Sequence, residues 1–185
     1  MTKRVLVPIA EGFEEIEAVT VIDILRRAGV EVVIADLGAQ RIVKGRSGIS
    51  VRADVSWDTA LGGAPFDAVV LPGGLPNAFT LRDDPRVLAV LKATFQEGGV
   101  AAAICAAPVA LERAGLLDGR NATCHPGMTA ELPDAARNAA RVAVDGRVVT
   151  SKGPGTAMEF AFALVRVLCG EGAVAEVNAG VLAAL

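Results

Sequence analysis

An α/β sandwich, with a mostly parallel sheet and helices on both of its faces, is the fold class this sequence predicts. Three observations predict it. Short β-branched runs alternate with longer helical patterns along the whole chain. Those runs are continuously apolar rather than alternating, as strands covered on both faces are. Helices standing between strands imply crossover units, which parallel neighbours require. No Pro/Ser/Gly linker and no internal repeat divides the 185 residues. Residues 1–185 therefore read as one domain, long enough to bury a full core.

The elements run in order along the chain. "KRVLVPI" (3–9) is predicted as a buried strand, and "GFEEIEAVTVIDILRRAG" (12–29) as a helix that stops at Gly29. Phe13, Ile16, Val19 and Ile22 form its expected buried side. "VEVVIAD" (30–36) is a second strand, and "RIVKGRSGISVRAD" (41–54), with Gly45 and Gly48, a small hairpin. "FDAVVLPGG" (66–74) is another strand, followed by a loop and a helix over roughly 85–97. "VAAAI" (100–104) is a strand, and "PVALERAG" (108–115) begins the helix behind it. Pro108 opens that helix with a fixed φ and no wasted amide. "RVAVDGRVVTSKG" (141–153) reads as two strands joined at Asp145–Gly146, and "TAMEFAFALVRVLCG" (156–170) as a long helix. "SKGPGTAMEF" lacks the Gly-Lys-Ser/Thr ending of a phosphate loop. Thr156 with Glu159 is read as a capping box, entered through Gly153–Pro154–Gly155.

Composition narrows the function. The chain is 52% hydrophobic and 21% charged, with a formal net charge of −3. There is no basic stripe, and six Phe, one Trp and no Tyr offer little for base stacking, so no nucleic-acid signature is present. No apolar run approaches the ~18 residues of a membrane span, and carboxylates interrupt the N-terminal run before a signal-peptide core forms. Three cysteines, an odd number, fit a reducing compartment, and the cytoplasm is the expected location.

Sites in open parallel sheets gather beyond the carboxyl ends of the strands. Cys105 follows "VAAAI" at a sharp strand-to-helix turn, where Ala106 and Ala107 permit close approach. A thiol at a helix N-terminus is expected to favour thiolate, whereas most free cysteines are small buried hydrophobes. Glu14 and Glu17 are three apart on one helix. A carboxyl at Glu17 lifted out of water would have a raised pKa and exchange protons; an acidic first turn complementing the helix dipole is the plainer reading. His125, the only histidine, stands before a proline in "NATCHPGM" as an acid or base for a thiol, or as an ordinary loop residue. No second His or carboxylate stands at ligand spacing from His125 and Cys124, so no metal is expected. "LPGG" (71–74) brings backbone amides close to a ligand, or simply makes a tight turn.

"EGFEEIE" (11–17), "DAVVLPGG" (67–74), "AAICAAP" (102–108), "CHPG" (124–127) and "TSKGPGTAMEFA" (150–161), in this order, resemble the ThiJ/PfpI superfamily. The branch they resemble is that of the Parkinsonism-associated protein deglycase, a glutathione-independent glyoxalase. The resemblance covers nearly the whole chain. It implies a flavodoxin-like three-layer sandwich, a homodimer to which the first helix and the hairpin contribute, and a Cys on a strained nucleophile elbow. Carried across by motif, Cys105 is the nucleophile, Glu17 the carboxyl beside its sulfur, and His125 the nearby imidazole. Gly73, Gly74 and Ala106 would supply amides around the substrate oxygen, and Glu14 would help to bind substrate. Protease-like relatives place His directly after the elbow Cys, where this chain has Ala106. Amidotransferases carry Glu two residues after their His, where this chain has Gly127. The implied activity is cofactor-independent conversion of methylglyoxal-type 2-oxoaldehydes, or of their adducts on side chains, to 2-hydroxy acids. A redox sensor or redox-regulated chaperone using the same thiol is the alternative, since an accessible low-pKa thiol is also oxidation-prone. Small-amide hydrolysis is a weaker third.

Overall fold

Five parallel strands carry the molecule: β1 (Arg4–Ile9), β2 (Glu31–Asp36), β6 (Ala68–Leu71), β7 (Val100–Ile104) and β9 (Val148–Ser151). The computed structural model describes residues 2–38, 40–63, 65–134 and 137–184. The strands lie in the order β2-β1-β6-β7-β9, which in chain order is the flavodoxin-like arrangement. A short β5 (Val55–Ser56) extends one edge in parallel with β2, and β8 (Val142–Asp145) closes the other edge antiparallel to β9. The expected hairpin forms a separate two-stranded sheet from β3 (Ile42–Lys44) and β4 (Ser50–Arg52).

Successive side chains of a strand point to opposite faces, and both faces are covered. Val5, Val7 and Ile9 join one core with α1 (Glu15–Arg27), α6 (Ala157–Cys169) and α7 (Glu171–Val181). Leu6, Val69 and Leu71 join the other with α2 (Trp57–Leu61), α3 (Asn77–Asp83), α4 (Pro85–Gln96) and α5 (Pro108–Arg113). Alanines 101, 102 and 103 of β7 are buried on both sides. Their small side chains let helices from both layers approach the strand that ends at Cys105.

Several local expectations are corrected. Phe13 and Ile22 are buried, but Ile16 is 55% and Val19 is 47% exposed. The stripe of α1 that meets α6 runs instead through Ala18, Val21, Ile22 and Leu25. An aliphatic helix offers more than one apolar stripe, and the crossing partner selects which is buried. The capping box is not made. Thr156 accepts from the Gly153 N–H (3.1 Å) and lies 2.6 Å from the Ser151 hydroxyl. Glu159 reaches across to Arg141 instead, at 2.7 Å. Glu15 does more than complement a dipole: its Oε1 accepts from Ser47 N (2.8 Å) and Ile49 N (3.2 Å), tying the hairpin turn to the start of α1. The short helices α2 and α3 and the terminal α7 carry no strong period and were not expected.

Candidate active site

The carboxyl ends of β6 and β7 lie side by side, with Leu71 opposite Ala103. The segments that leave these two strands build the site. Cys105 comes directly after β7, with φ of 65°, in the left-handed region that a non-glycine residue enters at a cost of about 1–3 kcal/mol. Its neighbours hold it there. The Cys105 N–H donates to the Ser151 carbonyl at the end of β9 (2.9 Å), and its own carbonyl accepts from His125 N (2.8 Å). The turn is thus the strand-to-helix elbow expected of "AAICAAP", with Pro108 opening α5.

Pro72, Gly73 and Gly74 continue from β6 and pass directly over this elbow. A Cβ on Gly73 would stand 2.6 Å from Cys105 Cβ and 2.7 Å from Glu17 Oε2. On Gly74, which has φ of 83°, it would stand 2.3 Å from the Gly12 carbonyl oxygen. Only glycine fits either position. Asn77, wholly buried at the start of α3, binds the segment down. Its Nδ2 donates to the carbonyls of Pro72 (2.8 Å) and Gly73 (3.0 Å), and its Oδ1 accepts from Ala10 N at the end of β1 (2.8 Å).

Glu17 is fully buried in the first turn of α1. Its Oε2 accepts from the Gly73 N–H at 2.7 Å, and its Oε1 has no hydrogen-bond partner in ordinary geometry among the described residues. Burial pushes this carboxyl up to about 7, against the pull of the Gly73 amide and of Cys105. The Cys105 thiol is pushed up to about 12, by burial first and then by the charge of Glu17 and its hydrogen bond. The amides of Gly74 and Ala106 pull it down. The expectation of a thiolate favoured by a helix N-terminus is therefore corrected. Burial and a neighbouring carboxyl govern this sulfur, and the two groups titrate as a pair. When Glu17 holds its proton the repulsion disappears and the carboxyl becomes a donor.

The same geometry separates the glycines. Gly73 gives its amide to Glu17 rather than to a substrate oxygen, while the amides of Gly74 and Ala106 face the sulfur. Glu14 is buried just ahead of α1, donates its N–H to the Gly73 carbonyl (3.0 Å), and pairs with Arg46 Nη1 from the hairpin (3.2 Å). His125 is exposed. Its Nδ1 accepts from Gly127 N (3.1 Å), which leaves Nε2 as the ring's outward nitrogen. A Cβ placed on Gly153 would lie 3.8 Å from His125 Cδ2 and 3.9 Å from Cys105 Sγ, so Gly153 borders both groups. Cys124 is buried behind this loop, and Cys169 is exposed at the end of α6. Among the described residues no three His, Cys, Asp or Glu side chains cluster to hold a metal ion.

Asn77, Arg46, Ser151 and Gly153 are the site residues that sequence reasoning missed. Arg46 and Gly153 lie in stretches read as hairpin and entry turn, and nothing local marks Asn77.

Comparisons with known proteins show the family and the fold. The DJ-1/PfpI family model matches residues 3–167. The Parkinson disease protein 7 homolog of Danio rerio is 41% identical over 180 residues, covering 96% of this chain and 95% of that protein. Protein DJ-1 homolog B of Arabidopsis thaliana is also 41% identical, over 96% of this chain, yet the chain spans only 41% of that longer protein. The glutathione-independent glyoxalase DJR-1.2 of Caenorhabditis elegans is 35% identical, over 86% of this chain and 85% of that protein. Among solved structures, oxidized Toxoplasma gondii DJ-1 superposes with a TM-score of 0.95 at 39% identity, covering 100% of both chains. With the family model running almost end to end and relatives this similar across nearly the whole sequence, the chain belongs to the DJ-1/PfpI family.

Proposed function

We propose that the chain is a cofactor-independent glyoxalase and protein deglycase, acting on methylglyoxal-type 2-oxoaldehydes and on their adducts with side chains. The observation that carries the reading is the pair itself: a thiol on a positive-φ elbow beside a fully buried carboxyl whose pKa stands near neutrality. A group that gains and loses a proton near pH 7 suits acid–base work between adjacent carbons.

As the Cys105 sulfur adds to the aldehyde carbon, the Glu17 carboxylate takes the thiol proton and passes it to the aldehyde oxygen, so that a hemithioacetal forms and the carboxylate is restored. The Glu17 carboxylate then removes the hydrogen of that carbon, and the electron pair moves into an enediol. Returning that proton to the neighbouring carbon, while the hydroxyl proton of the attacked carbon passes to the neighbouring oxygen, leaves a thioester of the 2-hydroxy acid. Water cleaves the thioester, releases the acid and restores the thiol, so one water is consumed overall. The amides of Gly74 and Ala106 are placed to hold the oxygen on the attacked carbon, and exposed His125 serves as proton carrier at the mouth. Glu14 and Arg46 line the approach as substrate-binding groups.

The test is methylglyoxal consumption by the wild type and by Cys105→Ser without added thiol, with the product identified by NMR. Turnover to lactate by the wild type alone is expected; a folded wild type that consumes none overturns the reading. A second reading, oxidation sensing through Cys105, has one observation in its favour, namely that Toxoplasma gondii DJ-1 is solved in an oxidized form. A protein that changes state once per oxidant and turns nothing over would favour it.

Two further parts belong to the proposal. The working form is a homodimer, supported by exposed Ile16 and Val19 on α1 and Ile49 in the hairpin turn. The place of action is the cytoplasm, supported by three free thiols. No helix among the described residues is long and apolar enough to cross a membrane.

A further inference from the structure

The geometry points to Asn77 as a positioning residue that decides which oxygen of Glu17 carries the proton. The inference rests on the reading of Cys105 and Glu17 as the reacting pair, and extends it to a residue in contact with neither a substrate nor the sulfur.

Asn77 is wholly buried and fully satisfied, with three hydrogen bonds to three main-chain groups. One of them matters most. Nδ2 donates to the Pro72 carbonyl at 2.8 Å, and the N–H of that same peptide group belongs to Gly73 and donates to Glu17 Oε2 at 2.7 Å. A peptide whose carbonyl accepts a hydrogen bond becomes a stronger donor at its nitrogen. Asn77, the 72–73 peptide and the Glu17 carboxyl thus form one polarised chain, buried throughout. The second bond, to the Gly73 carbonyl at 3.0 Å, fixes the next peptide, and the bond to Ala10 N fixes Asn77 against β1.

The consequence lies at the far end of the chain. Oε2, held as an acceptor by a strong donor, is the poor place for a proton. Oε1, buried and without a partner, is the remaining one. The carboxyl that carries this proton interacts with the Cys105 thiol. Glycine at 73 is required by the close approach to Cys105 and Glu17 and has no side chain to hold itself in place. Asn77 supplies that constraint from below. The titratable or charged groups acting on Glu17 are Cys105 from the elbow, Glu14 at the start of its own helix and Arg46 from the hairpin. None of them touches the 72–73 peptide through a side-chain hydrogen bond.

The test follows the carboxyl directly, by NMR titration of 13C-labelled Glu17, and needs no turnover. In Asn77→Ala the Gly73 amide loses its support, the carboxylate loses its donor, and the midpoint should rise by about one unit. Val87→Ala, a core truncation remote from the site, controls for lost stability and should leave the midpoint in place. Asn77→Ser, which keeps a small polar side chain, serves if the alanine variant does not fold. In the unaltered protein the Gly73 amide and the Asn77 side-chain amide protons should shift with the same midpoint as the carboxyl. Folded Asn77 variants with the wild-type midpoint overturn the inference, and so do Asn77 protons that stay flat while Glu17 titrates. A wild-type carboxyl that titrates in the ordinary range would instead sink the reading of Glu17 itself.

Discussion

Replacing Glu17 by glutamine separates what the carboxyl holds from what it moves. The side chain is fully buried, and its Oε2 accepts from Gly73 N at 2.7 Å. The amide oxygen of glutamine can take that bond, with the shape of the side chain preserved. Three effects are expected. Turnover of methylglyoxal should fall by two to four powers of ten, about the worth of a general acid–base group, because an amide carries no proton between carbons. The thiol should become easier to ionise. Two of the three causes that push the Cys105 thiol up to about 12, the charge and the hydrogen bond of Glu17, vanish together. Alkylation at neutral pH should then rise while turnover collapses.

Stability gives the third effect. A carboxyl whose folded pKa is raised from 4.5 to about 7 favours the fold while protonated, and that contribution is lost as pH rises through the folded value. Above neutrality the ionised, buried Glu17 costs the fold about 3 kcal/mol, so Glu17→Gln should melt higher than wild type at alkaline pH and alike near pH 4. The assay set is turnover by NMR, iodoacetamide labelling resolved by mass spectrometry, and melting against pH. Near-normal turnover by the folded variant would refute the proton-shuttle role, whatever the other two measurements gave.

Further outcomes are expected. Glu17→Asp should also lose most of its turnover, since one methylene less withdraws the carboxyl from the sulfur. Among the thiols, a bulky maleimide should label exposed Cys169 first, whereas peroxide should oxidise Cys105 first, because the Gly74 and Ala106 amides stabilise a developing anion there; oxidation of Cys124 ahead of both would contradict this. Gly153→Ala should fold normally, since the added methyl meets only His125 and the sulfur at ordinary contact distance. It should nevertheless slow reaction with side-chain adducts by about tenfold relative to free methylglyoxal, and equal effects on both substrates would exclude Gly153 from the approach. Val19→Glu, on the exposed stripe of α1, should shift sedimentation from dimer toward monomer, and an unchanged coefficient would clear that face.

The sheet and the elbow were legible because they rest on local patterns. "VAAAI" followed by Cys105, two alanines and Pro108 marks strand, turn and helix start within nine residues. Glu17 was legible only as a choice, since the sequence cannot say whether the first turn of a helix lies at the surface or under a loop. That Gly73 turns its amide to Glu17 while Gly74 faces the sulfur depends on how two strand ends meet, which is a tertiary fact. Asn77 carried no mark at all, because its three partners are main-chain groups of Ala10, Pro72 and Gly73. The buried stripe of α1 was misplaced by one step for a related reason: Ile16 and Val19 are as apolar as Ala18 and Val21, and only the position of α6 distinguishes them. Thr156 and Glu159 matched a local motif, but each found a stronger partner elsewhere.

The bond from Cys105 N to the Ser151 carbonyl has a consequence for the chain as it is made. β9 is the last parallel strand to leave the ribosome, yet it lies directly against β7 and supplies the acceptor that fixes the elbow. Until Ser151 has emerged, the Cys105 N–H lacks its acceptor, and only the bond from His125 N to the Cys105 carbonyl can form. Between the synthesis of Cys105 and that of Ser151, 46 residues later, the nascent chain therefore carries a thiol without this constraint. The full constraint on the elbow thus arrives late, with completion of the sheet, and is lost again whenever β9 detaches.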